Sequence, residues 1–279
     1  MTVIRVSFYR EKIPLTYRAY SGGQPDCIFS ASNIGQLRIR KVPITTVFFD
    51  VGNTLLTPAV PESEVLVAAV ASLGATVDAE LVRQSIPRMY QYYEQMYEAD
   101  NSIWASEDRA TSIWLTMYEY LCNLIGIPQL APEVARLGYE RFLDPRSWKP
   151  FDDVMPTLEA LRARGIRMGL ISNWDSSLEN IVNGVGLGAY FDVLISSSVV
   201  GLHKPQPEIF LLALEEAGAT AHETLHVGDH LQADIGGAAA VGIAPVLIDR
   251  NDRHGDVEGG SYARVRDLRE IANLPSFCA

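Results

Sequence analysis

The order of apolar runs and helical patterns along the chain predicts an α/β fold. Short apolar runs lie near residues 45–50, 166–171, 192–196, 224–228 and 245–249, and each has the length of a buried strand. Helical patterns at 154–164, 209–217 and 235–241 precede the second, fourth and fifth of these runs. Each of these helices is followed by a glycine suited to left-handed termination, namely Gly165, Gly218 and Gly242. Strands that alternate with helices indicate βαβ units and a parallel sheet.

The segment 58–148 interrupts this alternation and predicts a separate helical unit. It is too long for a crossover between strands and too periodic for a loop. Helical patterns fit residues 62–73, 79–98, 107–125 and 132–143. We therefore expect a small helical bundle at 58–148, inserted into a core built from residues 42–57 and 149–279.

The inserted segment is rich in aromatic residues. Tyr90, Tyr93 and Tyr97 fall on one face of the second predicted helix. A stripe with this spacing is typical of a helix that buries one side, so the pattern favours core packing over the lining of a pocket. Trp104 is the better candidate for a pocket, because the break at Asp100-Asn101-Ser102 lies just before it.

Polar side chains follow several of the predicted strands. Asp50 comes directly after the first apolar run, Ser172 and Asn173 follow the second, and Asp229 follows the run at 224–228, with Asp234 shortly after it. Ligands of parallel α/β sheets bind where strands end. A carboxylate can act as a nucleophile, a second carboxylate can help to hold a cation, and a hydroxyl can bind a phosphoryl oxygen.

Lys204 completes this set of side chains. The chain contains 23 Lys and Arg residues, of which the only lysines are Lys12, Lys41, Lys149 and Lys204. A compact ammonium group can lie between carboxylates and a phosphoryl group where a planar guanidinium does not fit. The combination predicts a phosphate site.

Four motifs, in order, resemble those of the haloacid dehalogenase (HAD) superfamily. They are Asp50-Val51-Gly52-Asn53-Thr54, Ser172-Asn173, the run from His203-Lys204-Pro205 to Phe210, and Gly228-Asp229 with Asp234. The resemblance covers roughly residues 44 to 250 and is strongest to the "hydrolase domain-containing" branch. It implies a Rossmann-like, doubly wound parallel sheet, with segment 58–148 as a mobile cap that closes over the active site. Most members are Mg²⁺-dependent phosphatases.

The resemblance also implies a role for each motif residue. Asp50 would attack phosphorus to form an aspartyl phosphate, while Ser172, Asn173 and Lys204 would complete the catalytic group. Mg²⁺ would be held by Asp50, Asp229 and the backbone carbonyl of Gly52. Asp234 would bind Mg²⁺ through water or orient Lys204, although it could instead be the N-cap of the next helix. His226 is expected to pack within its strand, and His203 and His230 receive no role.

Gly52 departs from the family pattern, because relatives carry a second aspartate there that protonates the leaving group. Loss of a positioned acid–base group costs about 10² to 10⁴ in rate. Three interpretations remain. The first is a Mg²⁺-dependent phosphohydrolase of a small phosphorylated metabolite, a phosphoric monoester or acyl phosphate hydrolase that acts slowly on good leaving groups such as acyl or aryl phosphates, or that borrows an acid from the cap or the substrate. The second is a carbon–halogen or carbon–phosphorus hydrolase, and the third is a non-catalytic binding or regulatory protein. Candidate substitute acids are Glu62, Glu64, Asp100 and His230.

Two observations weaken the second interpretation. Dehalogenases of the family need no metal, yet Asp229 and Asp234 retain the metal pattern. Phosphonate cleavage in the family uses a cap lysine, and residues 55–148 contain no lysine. The phosphohydrolase is therefore the preferred hypothesis, with Mg²⁺ as cofactor.

Composition adds few constraints. A net charge of −11 argues against a nucleic-acid partner, which requires a basic face. No apolar stretch is long enough to cross a membrane. Cys27, Cys122 and Cys278 have no disulfide or zinc spacing, which favours a reducing, cytoplasmic location. The oligomeric state, monomer or homodimer, stays open.

Residues 1–41 form a basic leader ahead of an acidic body. They carry 7 of the 23 Lys and Arg residues but 2 of the 34 Asp and Glu residues. The leader is predicted to be disordered or to lie upstream of the true start. The alternative is an organellar targeting segment.

Overall fold

A computed structural model describes residues 43–254 and 262–274 of the chain. The strands are β1 (Thr46–Phe49), β2 (Leu56–Pro58), β3 (Trp148–Pro150), β4 (Arg167–Ser172), β5 (Val193–Ser196), β6 (Thr224–Gly228), β7 (Ala244–Ile248) and β8 (Ala263–Val265). The helices are α1 (Glu62–Ser72), α2 (Ala79–Ala99), α3 (Glu107–Leu124), α4 (Ala131–Phe142), α5 (Val154–Ala163), α6 (Leu178–Gly184), α7 (Ser197–Val200), α8 (Pro207–Ala217) and α9 (Gly237–Ala240). The predicted leader, residues 1–41, lies outside the described residues.

Six strands form one parallel sheet in the order β5-β4-β1-β6-β7-β8. The central strand β1 pairs with β4 on one side and β6 on the other, so that Phe49 lies opposite both Leu170 and Val227. The chain therefore turns from one side of the sheet to the other around β1. Such a reversal opens a crevice at the carboxyl ends of the strands.

Both faces of the sheet are covered. Phe49 and Leu170 point into a core with α5, α6 and the 3₁₀ helix Leu268–Asn273, whereas Phe48 and Ile171 point into a core with α8 and α9. This alternation follows from the twofold period of a strand, and because both faces are covered, most positions of the central strands are apolar. The predicted α/β, doubly wound parallel sheet is confirmed.

The predicted helix terminations are also confirmed. Gly165, Gly218 and Gly242 have φ angles of 72°, 57° and 80°, which is the left-handed region that glycine reaches at the lowest cost.

The four helices α1 to α4 of segment 58–148 share their own hydrophobic cluster, with Leu66, Met89 and Leu121 fully buried in it. Helices α3 and α4 approach closely at Gly138, where a Cβ atom would meet the ring of Tyr118 at 2.8 Å. The cap therefore buries an apolar core without relying on the sheet. None of the helices within the described ranges is long and apolar enough to cross a membrane.

Some elements were absent from the predicted set. Strands β2 and β3 pair antiparallel where the chain enters and leaves the cap, and α6 and β8 were not predicted either. The helix expected at 235–241 begins earlier, as a π-helical turn over Leu231–Gly236 that continues into α9. Strands β2 and β3 contain three residues each and both end in proline, so they carry too little pattern to be recognised.

Candidate active site

Asp50 lies at the centre of the crevice formed by the strand ends. Its backbone N–H donates to the carbonyl of Val227 at 2.8 Å, which extends the ladder between β1 and β6 by one residue. The side chain is largely buried. Ser172 Oγ, at the end of β4, donates to Asp50 Oδ1 at 3.1 Å. The register of β1 with β4 thus brings together two residues that are far apart in sequence.

Lys204 reaches the same carboxylate from the loop between α7 and α8. Its Nζ lies 2.6 Å from Asp50 Oδ1 and 2.6 Å from Asp234 Oδ1, and the side chain is buried. Burial opposes the charge on the ammonium group, but the two carboxylates outweigh burial and hold its pKa above the usual value. The lysine is therefore a fixed cation within the site.

Asn173 holds the backbone of Lys204 through a pair of hydrogen bonds. The Lys204 N–H donates to Asn173 Oδ1 at 2.8 Å, and Asn173 Nδ2 donates to the Lys204 carbonyl at 3.0 Å. The same carbonyl accepts a bond from the Tyr97 hydroxyl of the cap at 2.9 Å. Asn173 thus positions the lysine, and Tyr97 links that position to the cap.

Asp234 is a buried hub. Its Oδ1 accepts hydrogen bonds from Lys204 Nζ at 2.6 Å and His226 Nε2 at 2.9 Å, and its Oδ2 accepts from the backbone N–H of His230 at 3.0 Å. Burial favours the neutral acid, yet Lys204 and His226 reverse this effect and lower its pKa. These contacts match the expected orientation of Lys204.

The alternative helix-capping role of Asp234 is wrong. The N-cap of the π-helical turn is His230, whose Nδ1 accepts from the backbone N–H groups of Gln232 and Ala233. Asp234 lies inside that turn and faces the site. His226 also does more than pack within β6, because it bonds to Asp234 while its ring packs edge-on against Phe210. His203 is buried and contacts the Lys204 carbonyl at 3.2 Å.

Asp229 follows β6 and completes a cluster of carboxylates. One carboxylate oxygen from each of Asp50, Asp229 and Asp234 lies within 4.8 Å of the others. Burial, and then the charges of Asp50 and Asp234, raise the pKa of Asp229 to about 7. On its outer side, Asp229 Oδ2 pairs with Arg253 at 3.1 Å. A cation within the cluster would relieve the repulsion among these groups.

The donor set suits Mg²⁺, which prefers oxygen ligands and is usually held by one or two carboxylates. The side-chain donors to Asp50 within the described ranges bond to Oδ1, so Oδ2 is available to an ion. Asp229 supplies a second carboxylate, and Gly52 lines the same cavity. Both oxygens of Asp234 are engaged by other donors, so water-mediated binding or support of Lys204 suits it better than direct ligation.

Gly52 lies beside an indole ring. A Cβ atom built on Gly52 would lie 3.5 Å from Trp174 Cζ3, an ordinary contact distance. Of the proposed substitute acids, His230 lines the cavity. Glu62 is buried against the hydroxyls of Tyr90 and Tyr118, and Asp100 bonds to Ser102 and Arg109. Neither of these two carboxylates is part of the cavity lining.

A cavity of about 680 Å³ extends from this cluster toward the cap. Its wall includes Tyr90, Tyr93, Tyr97 and Trp104. Core packing, the favoured prediction for the tyrosine stripe, is confirmed for Tyr97, which is buried in the cap cluster, and for Tyr93, which packs against that cluster. The same tyrosines also line the cavity, so the stripe does both. The helical period shows that one face is covered but not what covers it. The prediction for Trp104 is confirmed, and its Nε1 donates to the Tyr93 hydroxyl at 3.0 Å.

Several residues of this site are not identifiable from the sequence. His226 was expected only to pack, and Trp174 and Arg253 were not considered. Trp174 follows Ser172-Asn173 directly, so its place in the motif was the one available signal. Arg253 lies after β7 in a loop without a motif, and nothing in the sequence indicates its contact with Asp229.

A doubly wound sheet with this cluster at its strand ends, beneath an inserted helical cap, defines a capped α/β hydrolase. The chain belongs to the haloacid dehalogenase-like hydrolase family, which matches residues 44–242. It is 31% identical over 228 residues to the mouse (Mus musculus) haloacid dehalogenase-like hydrolase domain-containing protein 3, covering 81% of this chain and 90% of that protein. The expected superfamily and branch are confirmed.

Other relatives are named phosphatases. A phosphoserine phosphatase of Thermus thermophilus is 37% identical over 144 residues, which is 50% of this chain and 57% of that protein. Among solved structures, a HAD phosphatase from Thermococcus onnurineus is 26% identical with a TM-score of 0.55, covering 82% of this chain and 97% of that one. A HAD-hydrolase of Bacillus subtilis bound to magnesium, 19% identical, has a TM-score of 0.67 over 83% and 98% of the two chains and shows the fold alone.

Proposed function

We propose that the protein is a Mg²⁺-dependent phosphohydrolase that acts on a small phosphorylated metabolite through an aspartyl phosphate. The observation that carries this proposal is the meeting of Asp50, Ser172, Lys204 and Asp229 in one crevice, with both Ser172 Oγ and Lys204 Nζ bonded to Asp50 Oδ1. Phosphatases among the relatives support the same reaction class.

Each residue has a task in this reaction. Asp50 attacks phosphorus, a bond from its carboxylate oxygen to phosphorus forms, and the bond to the leaving oxygen breaks. Lys204 neutralises charge on the phosphoryl group, and Ser172 turns its hydroxyl toward a phosphoryl oxygen. Water then attacks phosphorus and releases phosphate and free Asp50. Bound Mg²⁺, held by Asp50, Asp229 and the Gly52 carbonyl, would supply further charge stabilisation.

The deciding experiment is a screen of phosphorylated metabolites with and without Mg²⁺, run beside Asp50→Asn. We expect Mg²⁺-dependent release of phosphate that Asp50→Asn abolishes, because an amide is a poor nucleophile for phosphorus. Asp192→Asn is the matched control. This exposed aspartate precedes β5 and so lies at the amino ends of the strands, away from the site at their carboxyl ends. Its replacement should leave turnover unchanged. Turnover that persists in Asp50→Asn, or is undiminished by EDTA, contradicts the proposal.

Gly52 favours one second candidate, a protein that binds Mg²⁺ and phosphate without turnover. The charged cluster is complete, but the position of the leaving-group acid holds no side chain. Phosphate binding that requires Mg²⁺, without turnover of any substrate, would support this candidate. A cytoplasmic location and the oligomeric state stay predictions, as does the absence of a nucleic-acid partner.

A further inference from the structure

Aromatic rings form a continuous series along one wall of the cavity. Trp114 of the cap stacks on Phe142 with ring centroids 5.7 Å apart, Phe142 contacts Trp148 at 5.5 Å, and Trp148 contacts Trp174 at 4.9 Å. All four rings line the cavity. The series begins within the cap and ends at Trp174, the residue that follows Ser172-Asn173. It therefore leads from the cap to the end of the cavity where Asp50 and Lys204 would bind the phosphate group.

Two of the three indole N–H groups of this wall already have hydrogen-bond partners inside the protein. Trp148 Nε1 donates to the Phe142 carbonyl at 2.9 Å, and Trp174 Nε1 donates to Ser177 Oγ at 3.2 Å. What these rings can offer to a ligand is therefore mainly their apolar faces. A sugar or polyol would lose hydrogen bonds to water there without replacement, whereas a flat ring would be well accommodated.

The charges of the cavity suit a single phosphate group. Lys204 is buried at one end between Asp50 and Asp234. Arg253, which also lines the cavity, is paired with Asp229. Glu94 and Glu98 of α2 line the cavity as well. These cap carboxylates would repel a second anionic group. The volume of about 680 Å³ is within the usual range for small-molecule pockets and accommodates an aromatic ring together with its phosphate.

The chemistry of the leaving group points in the same direction. Trp174 Cζ3, not a carboxylate, lies beside Gly52, so a leaving oxygen on this side would depart without a proton donor at that position. A phenol, with a pKa near that of tyrosine at about 10, leaves as an anion far more readily than an aliphatic alcohol. The shape of the wall and the missing acid therefore select the same substrates.

We propose that the substrates are aryl phosphate monoesters whose ring packs against the wall formed by Trp114, Phe142, Trp148 and Trp174. This inference rests on the proposed function and names its substrate class. The Asp50 oxygen bonds to phosphorus, the bond from phosphorus to the aryl oxygen breaks, and its electron pair leaves with the phenolate, which takes a proton from water. Water then hydrolyses the aspartyl phosphate.

The test compares phenyl phosphate, acetyl phosphate and glycerol phosphate in Mg²⁺. Acetyl phosphate also has a good leaving group but has no ring, so it separates leaving-group chemistry from ring recognition. We expect kcat/KM to be highest for phenyl phosphate. Trp114→Leu should lower it about fivefold for phenyl phosphate and less for acetyl phosphate, a loss in the range expected for one aromatic contact.

Tyr120→Leu is the matched control for Trp114→Leu. Tyr120 lies on the same helix and is also half-buried, but it stacks on Tyr92 at 4.3 Å and neither ring is part of the cavity lining. In Tyr120→Leu, the kcat/KM values for phenyl phosphate and for acetyl phosphate should both be unchanged. Trp174→Phe should retain the preference for phenyl phosphate that Trp174→Leu loses. Circular dichroism shows whether each variant is folded.

A second readout does not depend on turnover. Phenyl phosphate bound to Asp50→Asn should change the tryptophan fluorescence, and glycerol phosphate should bind at least tenfold more weakly. Hydrolysis of acetyl phosphate with no advantage for phenyl phosphate would overturn this inference and leave the proposed function standing. Absence of Mg²⁺-dependent turnover by the wild-type protein, both of these three substrates and of every metabolite in the screen, would overturn both.

Discussion

At the scale of single residues, the buried Asp50–Lys204–Asp234 ion pairs organise the site. Each oxygen of Asp234 has a partner, and Lys204 bridges the two carboxylates. Removing one member of such a buried set leaves an uncompensated charge, which costs several kcal/mol. The sequence identified all three residues, because strand ends and motif spacing are local features. The hub role of Asp234 depends on three-dimensional contacts.

Replacement of Gly52 tests the missing acid. Gly52 does not have a left-handed backbone, and a Cβ atom would make an ordinary contact with Trp174, so Gly52→Asp should fold. We expect it to raise turnover of glycerol phosphate by about 10², the lower range for a positioned acid. Gly52→Asn, with the same shape but no proton to give, is the control. Equal gains in both variants would contradict the explanation.

If the proposed Mg²⁺ site is correct, the raised pKa of Asp229 makes its affinity for Mg²⁺ depend on pH. With a pKa of about 7, Asp229 is protonated below that pH and ionised above it, and Mg²⁺ requires the ionised carboxylate. The concentration of Mg²⁺ for half-maximal binding should therefore rise as pH falls below 7, approaching tenfold per pH unit. Calorimetric titration at pH 5.5 to 8.5 measures this. An affinity independent of pH over that range would show that Asp229 is not a ligand.

At the scale of elements, strands and long helices were predictable, and the element that carries Asp234 was not. The π-helical turn Leu231–Gly236 brings Asp234 back over the end of β6, where a Cβ atom on Gly228 would meet Asp234 Cγ at 2.1 Å. Only glycine is compatible with that position. Single π-helical turns are often found at functional sites, and no local sequence pattern distinguishes them from an α-helical turn.

Helix α1 begins with a buried carboxylate. Glu62 accepts hydrogen bonds from Tyr90 at 2.7 Å and Tyr118 at 3.0 Å, and these contacts join three cap helices. Burial raises its pKa although both hydrogen bonds oppose that change. The folded state therefore binds the proton more tightly than the unfolded state. Stability from this group is present below the unfolded pKa of Glu62 and is lost as pH rises through the folded pKa.

Glu62→Gln should remove the loss of stability at high pH, because glutamine keeps the shape of glutamate without its charge. Relative to the wild type, its melting temperature should be unchanged or slightly lower at pH 4 and higher at pH 8. Glu64→Gln, on the exposed side of the same first turn, controls for the helix dipole. A difference between Glu62→Gln and wild type that stays constant from pH 4 to pH 8 would contradict the assignment.

At the scale of the whole molecule, the cap and the sheet meet through polar contacts around the cavity. Glu107, at the start of α3, accepts bonds from the Ser176 N–H at 3.0 Å and from the hydroxyls of Ser176 and Ser198 at 2.8 Å each. Tyr97 and Tyr139 add bonds to the Lys204 carbonyl and to Asp175. Few of these contacts are deeply buried, since the bonds to Glu107 are all exposed to solvent.

Glu107→Ala should weaken this closure. We expect the Ser176 amide to exchange its hydrogen about tenfold faster. It loses a charged hydrogen-bond acceptor, and the net contribution of such a bond to stability is on the order of 1.5 kcal/mol. Hydrogen–deuterium exchange of the peptide containing Ser176 measures the change. Asp108→Ala removes an equal, exposed charge from the same helical turn and should not affect that peptide. Equal protection in both variants would show that Glu107 does not hold the cap.

The sequence by itself determined the sheet, the inserted helices and the chemical groups of the site. These features depend on local information: apolar period, glycine at helix ends, and polar residues directly after strands. Only the tertiary structure decided what the cap aromatics face, that Trp174 lies beside Gly52, and that Arg253 pairs with Asp229. Helical period records that a face is covered, whereas the identity of the covering surface depends on how distant segments pack together.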